Sequence, residues 1–394
     1  MGRGYPIKLF PTDDPVSPDW MIGRGGDVEQ IAKRTSAGMN LVLAAPRRTG
    51  KTTVCNAAME RLRAEDHYTA AIDLYRIGGV ERLATSLIEQ SFATRPAMRR
   101  LVHRAAQGGR SVYESFSATM ALKLIGTPEL AGIDINLLPQ LPAAGIEAQI
   151  DYALALPQRI AAADGKHLIL HIDEFQDVNR IGRSQGNGWD QILKRKMRAE
   201  FQRADNVSFL FSGSYEHMMQ TLFGSPQEPF FNFGSFYALE DIVAADWAPG
   251  LTARYALDGT SIEPAALDTL IEYGQRHPRA TMLVAQHAYA TALVRETKVI
   301  GEDMVHFAYR EAVHSEIAKH EAWLDRLRSL GKKNGELVVR VAQAVAAGSA
   351  PYAQASDKKA VYRALSALRD AGFIAARADR WVMVDPLFGD FLKS

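Results

Sequence analysis

The segment Ala45-Pro46-Arg47-Arg48-Thr49-Gly50-Lys51-Thr52-Thr53 has the residue types and the spacing of a phosphate-binding loop. It fits G-x-x-x-x-G-K-[ST], with Ala45 in place of the first glycine. In such a loop, backbone N–H groups wrap phosphate oxygens at the start of a helix. Gly50 lets the backbone approach closely, Lys51 reaches the outer phosphates, and the Thr52 hydroxyl binds Mg²⁺. The methyl group of Ala45 crowds a tight turn. Arg47 and Arg48 either stand beside phosphate or are solvated charges. A second group of reactive side chains ends the apolar run Leu168-Ile169-Leu170-His171-Ile172: the carboxylates Asp173 and Glu174. At the carboxyl end of a parallel strand, Asp173 would face a metal and Glu174 would orient and polarise an attacking water. Alternatively, the pair only caps the next helix. A third group, Ser212-Gly213-Ser214, ends the run Val207 to Phe211. A hydroxyl there would reach a phosphate or the water, or Ser214 would cap a helix.

These residues need strands and helices to hold them. Apolar, β-prone runs over 40–45, 68–74, 167–172 and 207–211 read as buried strands. Helical patterns over 27–38, 51–64, 80–92 and 147–163 separate them. Strands alternating with helices imply an α/β core with a parallel sheet covered on both faces. After about residue 243 strands vanish and Ala-rich helical segments follow. Towards the C-terminus the pattern reads as a helix over 335–348, a short helix over 350–355 and a helix over 358–371 capped by Asp357. Phe373-Ile374 and Trp381 to Val384 then flank a turn, which completes a winged helix-turn-helix pattern. Its expected recognition helix carries Lys358, Lys359, Arg363 and Arg369, with Tyr362 beside Lys358 to pack on a sugar or on the core, and Arg377 and Arg380 in the wing would bracket a minor groove. Residues 335–394 hold eight Lys or Arg against six Asp or Glu, a mild excess for a DNA-binding face. Docking on the core or on a protein partner is the other reading.

The expected organisation is an arm over 1–20, a phosphate-loop core over 21–242, a helical lid over 243–319 and the winged helix over 320–394. A proline-broken insertion over about 93–146 is one possible site for a protein partner. The chain has 394 residues, 47% hydrophobic and 23% charged, as in an ordinary folded protein of two or three domains. A net charge of +1 makes no case for nucleic acid or acidic lipid as an obligatory partner. A single cysteine, Cys55, excludes an intrachain disulfide framework and reads as core packing. No apolar run approaches membrane-spanning length, so the expected location is the cytoplasm, with no membrane partner.

Taken in order, Ile22-Gly23-Arg24, APRRTGKTT, HIDEFQDV, FSGSYEHMM and GQRHPR (274–279) resemble the archaeal-type P-loop ATPases of the STAND and AAA+ superfamily, often with a C-terminal winged helix. The likeness spans about residue 20 to the end. It implies ATP or ADP with Mg²⁺ as cofactors, an ATP hydrolase activity, and an oligomer as one possible state. It implies that Ile22, Gly23 and Arg24 lie over adenine, and that Ala45 to Thr53 surround the phosphates. Thr52 and Asp173 would hold the metal, with Asp173 and Glu174 as the catalytic acids. Ser212 or Ser214 would be the sensor residue. Pro278 would pack on the base, and Arg279 would be the lid arginine that senses the γ-phosphate. For a transition-state arginine, Arg198 is the best placed of the basic run Lys194-Arg195-Lys196-Arg198, whose plainer reading is a solvated helix face. Two further readings stay open: a nucleotide-binding DNA regulator without turnover, and a small-molecule kinase on the same loop.

Overall fold

The computed structural model describes residues 9–13, 16–96, 98–99, 145–331, 334–377 and 380–393. It forms two compact units. One comprises Asp27–Ala44 and Val54–Ala238; the other comprises Met1–Gly26, Ala45–Thr53 and Leu239–Ser394.

The first unit is built on a five-stranded sheet of order β2-β3-β4-β1-β5. The strands are β1 (Leu41–Ala44), β2 (Tyr68–Asp73), β3 (Leu168–Asp173), β4 (Val207–Gly213) and β5 (Ser235–Tyr237). Every pairing in this sheet is parallel. All residues of β3 and β4 are buried, because helices cover both faces of a parallel sheet. The helices are α1 (Gly25–Ser36), α2 (Lys51–Ala64), α3 (Val80–Ala93), α4 (Ile146–Asp164), α5 (Val178–Ser184), α6 (Trp189–Phe201) and α7 (Glu216–Gly224). In α1, Val28, Ile31, Ala32 and Thr35 are buried, a spacing that puts them on one face. Ala32 packs with Met59 and Leu62 of α2 against Ile169 of β3. Cys55 is buried on α2, as expected. The expected insertion lies mostly outside the described residues.

An aromatic cluster fixes β4 against the chain around it. The Phe175 ring lies 4.7 Å from Phe211 and 4.9 Å from Phe230, and Phe201 stacks on Phe209 at 4.1 Å. Phe211 is fully buried, so Phe211→Ala should cost about 3–5 kcal/mol, read as a lower urea midpoint at unchanged slope.

The second unit contains α8 (Ala244–Ala256), α9 (Pro264–Tyr273), α10 (Pro278–Val294), α11 (Glu302–Ser315) and α12 (Ile317–Leu330). Strands do not vanish here: β6 (Ser261–Ile262) and β7 (Val299–Ile300) form a parallel pair. Two-residue strands leave no periodic signature, which is why the sequence reads as helical throughout. The described residues of the arm pack on this unit. Phe10 is buried against Tyr255, ring centroids 4.7 Å apart, and Arg254 donates to the carbonyls of Leu9 and Trp20. Beyond α12 come α13 (Gly335–Ala346), α14 (Lys358–Asp370), the antiparallel pair β8 (Ile374–Arg377) and β9 (Arg380–Met383), and α15 (Pro386–Lys393). The short helix expected over 350–355 is a single 3₁₀ turn, Pro351–Gln354. Asp357 caps α14 by accepting from the Lys359 and Ala360 N–H groups at 2.9 and 3.2 Å. The turn residues Ala378 and Asp379 lie outside the described residues. Among the described residues, no helix is long and apolar enough to cross a membrane.

Candidate functional site

The loop leaves β1 at Ala44 and closes into α2 at Lys51. Gly50 has φ +90°, a left-handed conformation that suits glycine, and Arg48 adopts φ 68° without that freedom. Ala45 is not in the left-handed region, so the position does not need glycine's freedom, and its methyl group is buried. The Thr49 hydroxyl donates to the Pro46 carbonyl at 2.8 Å. The Lys51 ammonium donates to the same carbonyl at 3.2 Å, so its charge is aimed into the loop. Thr52 follows in the first turn of α2, half-buried, and Thr53 after it.

Ile22, Gly23 and Arg24 act on this loop from the side. Arg24 is buried and donates to the Glu240 carbonyl at 2.5 Å and to the Thr49 carbonyl at 3.3 Å. It therefore braces the loop. Gly23 has φ +65°, and a Cβ there would stand 2.5 Å from Ile242, so the chain passes only as glycine. Ile22 packs in the apolar cluster of Trp247, Leu251 and Ile242. The bracing carbonyl of Glu240 could not have been found from sequence, because a backbone acceptor has no residue signature.

The acids lie at the carboxyl edge of the sheet. Asp173 ends β3 beside Asp73, its register partner at the end of β2. Its Oδ1 accepts from the Ser212 hydroxyl at 2.5 Å and from the Glu174 N–H at 2.9 Å. Ser212 is in turn bonded to the buried His171 ring at 2.8 Å. Burial lowers the His171 pKa, which favours the neutral ring. Glu174 has φ 49°, unusual for a residue with a Cβ. Its carboxylate accepts from the Ser214 N–H at 3.1 Å, from the Ser214 hydroxyl and from the Gln176 side-chain amide. The two serines thus divide their work: Ser212 orients Asp173 and Ser214 orients Glu174. Asp73 is a third acid that pattern reading missed. Burial, joined by the charges of Asp173 and Glu174, raises its pKa. Among the described residues, no group of three or more His, Cys, Asp or Glu is arranged to hold a metal alone. This donor set suits Mg²⁺ only as a partner of phosphates, because that ion takes few protein ligands.

In the second unit, Pro278 opens α10, with the His277 side chain accepting from the Ala280 N–H at 3.3 Å. Arg279 is buried and bound by both oxygens of Glu316, at 2.9 and 3.0 Å, with Asp13 at 3.5 Å. In this conformation the guanidinium is held by carboxylates. The basic run on α6 does not act as one face. Lys194 is buried against Glu228 at 2.6 Å, Lys196 binds Asp151 at 2.9 Å, and Arg198 lies 4.4 Å over the Phe233 ring.

No family model matches the chain, and no curated protein matches it. Among solved structures it is similar to a Walker-type ATPase of Pyrococcus abyssi, with a TM-score of 0.67 at 12% identity over 98% of this chain and 100% of that one. It is also similar to the ORC2 protein of Aeropyrum pernix in its ADPNP–ADP complexes, with a TM-score of 0.58 at 14% identity over 98% of this chain and 95% of that one. With its parallel sheet and its loop between β1 and α2, the chain has the fold of the AAA+ P-loop ATPases.

Proposed function

We propose that the chain is a Mg²⁺-dependent ATP-binding and ATP-hydrolysing switch that couples nucleotide state to DNA through a C-terminal winged helix. The observation that carries it is the Lys51 ammonium held inside the loop that follows β1. Within the sheet unit, the Asp173 and Glu174 carboxylates at the end of β3 are each oriented by hydrogen bonds, as metal-organising and water-activating acids would be. Lys51 and the loop N–H groups would bind the outer phosphates. Thr52 and Asp173 would hold Mg²⁺, which supplies Lewis-acid neutralisation of phosphate charge when bound. Glu174 would take a proton from the attacking water, with Ser214 and Gln176 fixing its carboxylate. Ile22, Gly23 and Pro278 would border the base, and Arg24 would set the loop. Arg279 would reach the γ-phosphate only after leaving Glu316. The test is ATP turnover by the full chain, with and without duplex DNA. Phosphate release that rises with DNA supports the reading, and its absence under all conditions rejects it. The second reading is a nucleotide-binding DNA regulator with little turnover. The hold on Glu174 favours it, since a carboxylate engaged by the Ser214 N–H, the Ser214 hydroxyl and the Gln176 amide is less free to turn toward a water.

DNA contact rests on α14. Lys359, Tyr362 and Arg363 are exposed, while Val361, Leu365 and Leu368 face the core. Lys358 is drawn to the carbonyl of Tyr352. Such a face would bind mostly phosphate. Lys359→Glu and Arg363→Glu should each weaken duplex binding several-fold and flatten its salt dependence by roughly one phosphate contact. A wild-type chain that binds no duplex at low salt, with or without ATP, would make this module a docking domain.

A further inference from the structure

We propose that Arg48 and Asp385 form a latch between the phosphate loop and the last helix, which nucleotide phosphates open. The inference rests on the ATP-binding reading of the loop. Arg48 stands at a position where the loop motif asks for no particular residue, yet it holds a left-handed backbone and a committed side chain. Its guanidinium reaches Asp385 Oδ2 at 3.3 Å, across 337 residues of sequence, and lies 5.5 Å over the Trp323 ring.

Asp385 divides its two oxygens. Oδ2 takes Arg48, while Oδ1 caps α15 by accepting from the Leu387 and Phe388 N–H groups at 3.1 and 3.2 Å. Leu387 and Phe388 are fully buried, the first in the cluster of α8 to α11 and the second in the cluster of α12 to α14. One carboxylate therefore ties the loop to the helix that joins both clusters.

The surroundings are balanced in charge. Arg48, Arg279 and Lys319 face Asp13, Glu316 and Asp385, and Lys319 lies 4.8 Å over the same Trp323 ring. The terminal phosphates of a nucleotide would bring extra negative charge to the loop and compete with Asp385 for Arg48. Binding and release are then linked reciprocally. If nucleotide weakens the latch, breaking the latch strengthens nucleotide binding by the same factor.

The test uses the full chain, a non-hydrolysable ATP analogue, and hydrogen exchange read on residues 386–393 together with analogue affinity. Asp385→Asn keeps a capping side chain and removes the charge. It should raise exchange in α15 without nucleotide to the level of the analogue-bound wild type, and should tighten the analogue about tenfold. Arg48→Gln should raise the same exchange whatever it does to affinity, which keeps the test standing if Asp385→Asn folds poorly. The latch is overturned if the wild type binds the analogue with no change in α15 exchange, or if both variants exchange like the nucleotide-free wild type. Binding by Asp385→Asn alone supports the latch. No binding by any of the three chains rejects the ATP reading of the loop itself, and the latch with it.

Discussion

Lys51→Ala is expected to abolish ATP hydrolysis and to weaken ATP binding by about 10²-fold or more, the scale of losing a charge-assisted contact to phosphate. The ammonium sits at the first residue of α2 and bonds to the Pro46 carbonyl inside the loop, so its direction is already set before any ligand arrives. Removing it leaves the loop N–H groups but takes away the charge directed at the outer phosphates. Isothermal titration with ADP and ATP, beside phosphate release, separates the two effects. Turnover at the wild-type rate in the purified variant would reject the loop as a nucleotide site. Lys51→Arg serves as the partner variant: it keeps the charge but not the compact ammonium, so binding should recover more than turnover.

Glu174→Gln should keep ATP bound and slow turnover by about 10²-fold or more, as when a general base is lost. The side chain is well placed for the comparison, because glutamine can still bond to the Ser214 hydroxyl and the fold around it need not move. The expected signature is an ATP complex that outlives gel filtration, with kcat falling far more than KM changes. Asp173→Asn should act differently, impairing Mg²⁺-dependent affinity, because its Oδ1 is fixed by Ser212 and by the Glu174 N–H. Normal turnover in Glu174→Gln would move water activation to another residue, with Asp73, the register partner of Asp173, an unassigned acid at the same sheet edge.

The four core strands were legible because β1, β2, β3 and β4 are continuous apolar runs ended by Gly, Pro or acids, the pattern of a doubly covered sheet. β5 was missed because Ser-Phe-Tyr is three residues long and sits at the edge, where burial leaves little periodicity. The positions of Lys51, Asp173 and Glu174 were legible because each lies at the end of an element that sequence pattern can locate. The brace from Arg24 to the Glu240 carbonyl and the burial of Lys194 were not. Both depend on residues far away in sequence, and neither changes any local pattern. Arg279 shows the same limit: its place at the start of a helix could be read from His277-Pro278, but its capture by Glu316 could not.

The brace and the latch also bear on the order in which the chain can be finished as it leaves the ribosome. The loop around Thr49 is supported by Arg24, which must find the carbonyl of residue 240, and Arg48 must find residue 385. Strand β1 and helix α2 are made early, but the loop between them waits for residues 240 and 385. A nascent chain halted before residue 240 would hold the loop residues without the contacts that shape them. Closing contacts this distant is slow and leaves apolar surface open in the meantime, so the unfinished chain is the stage most exposed to aggregation.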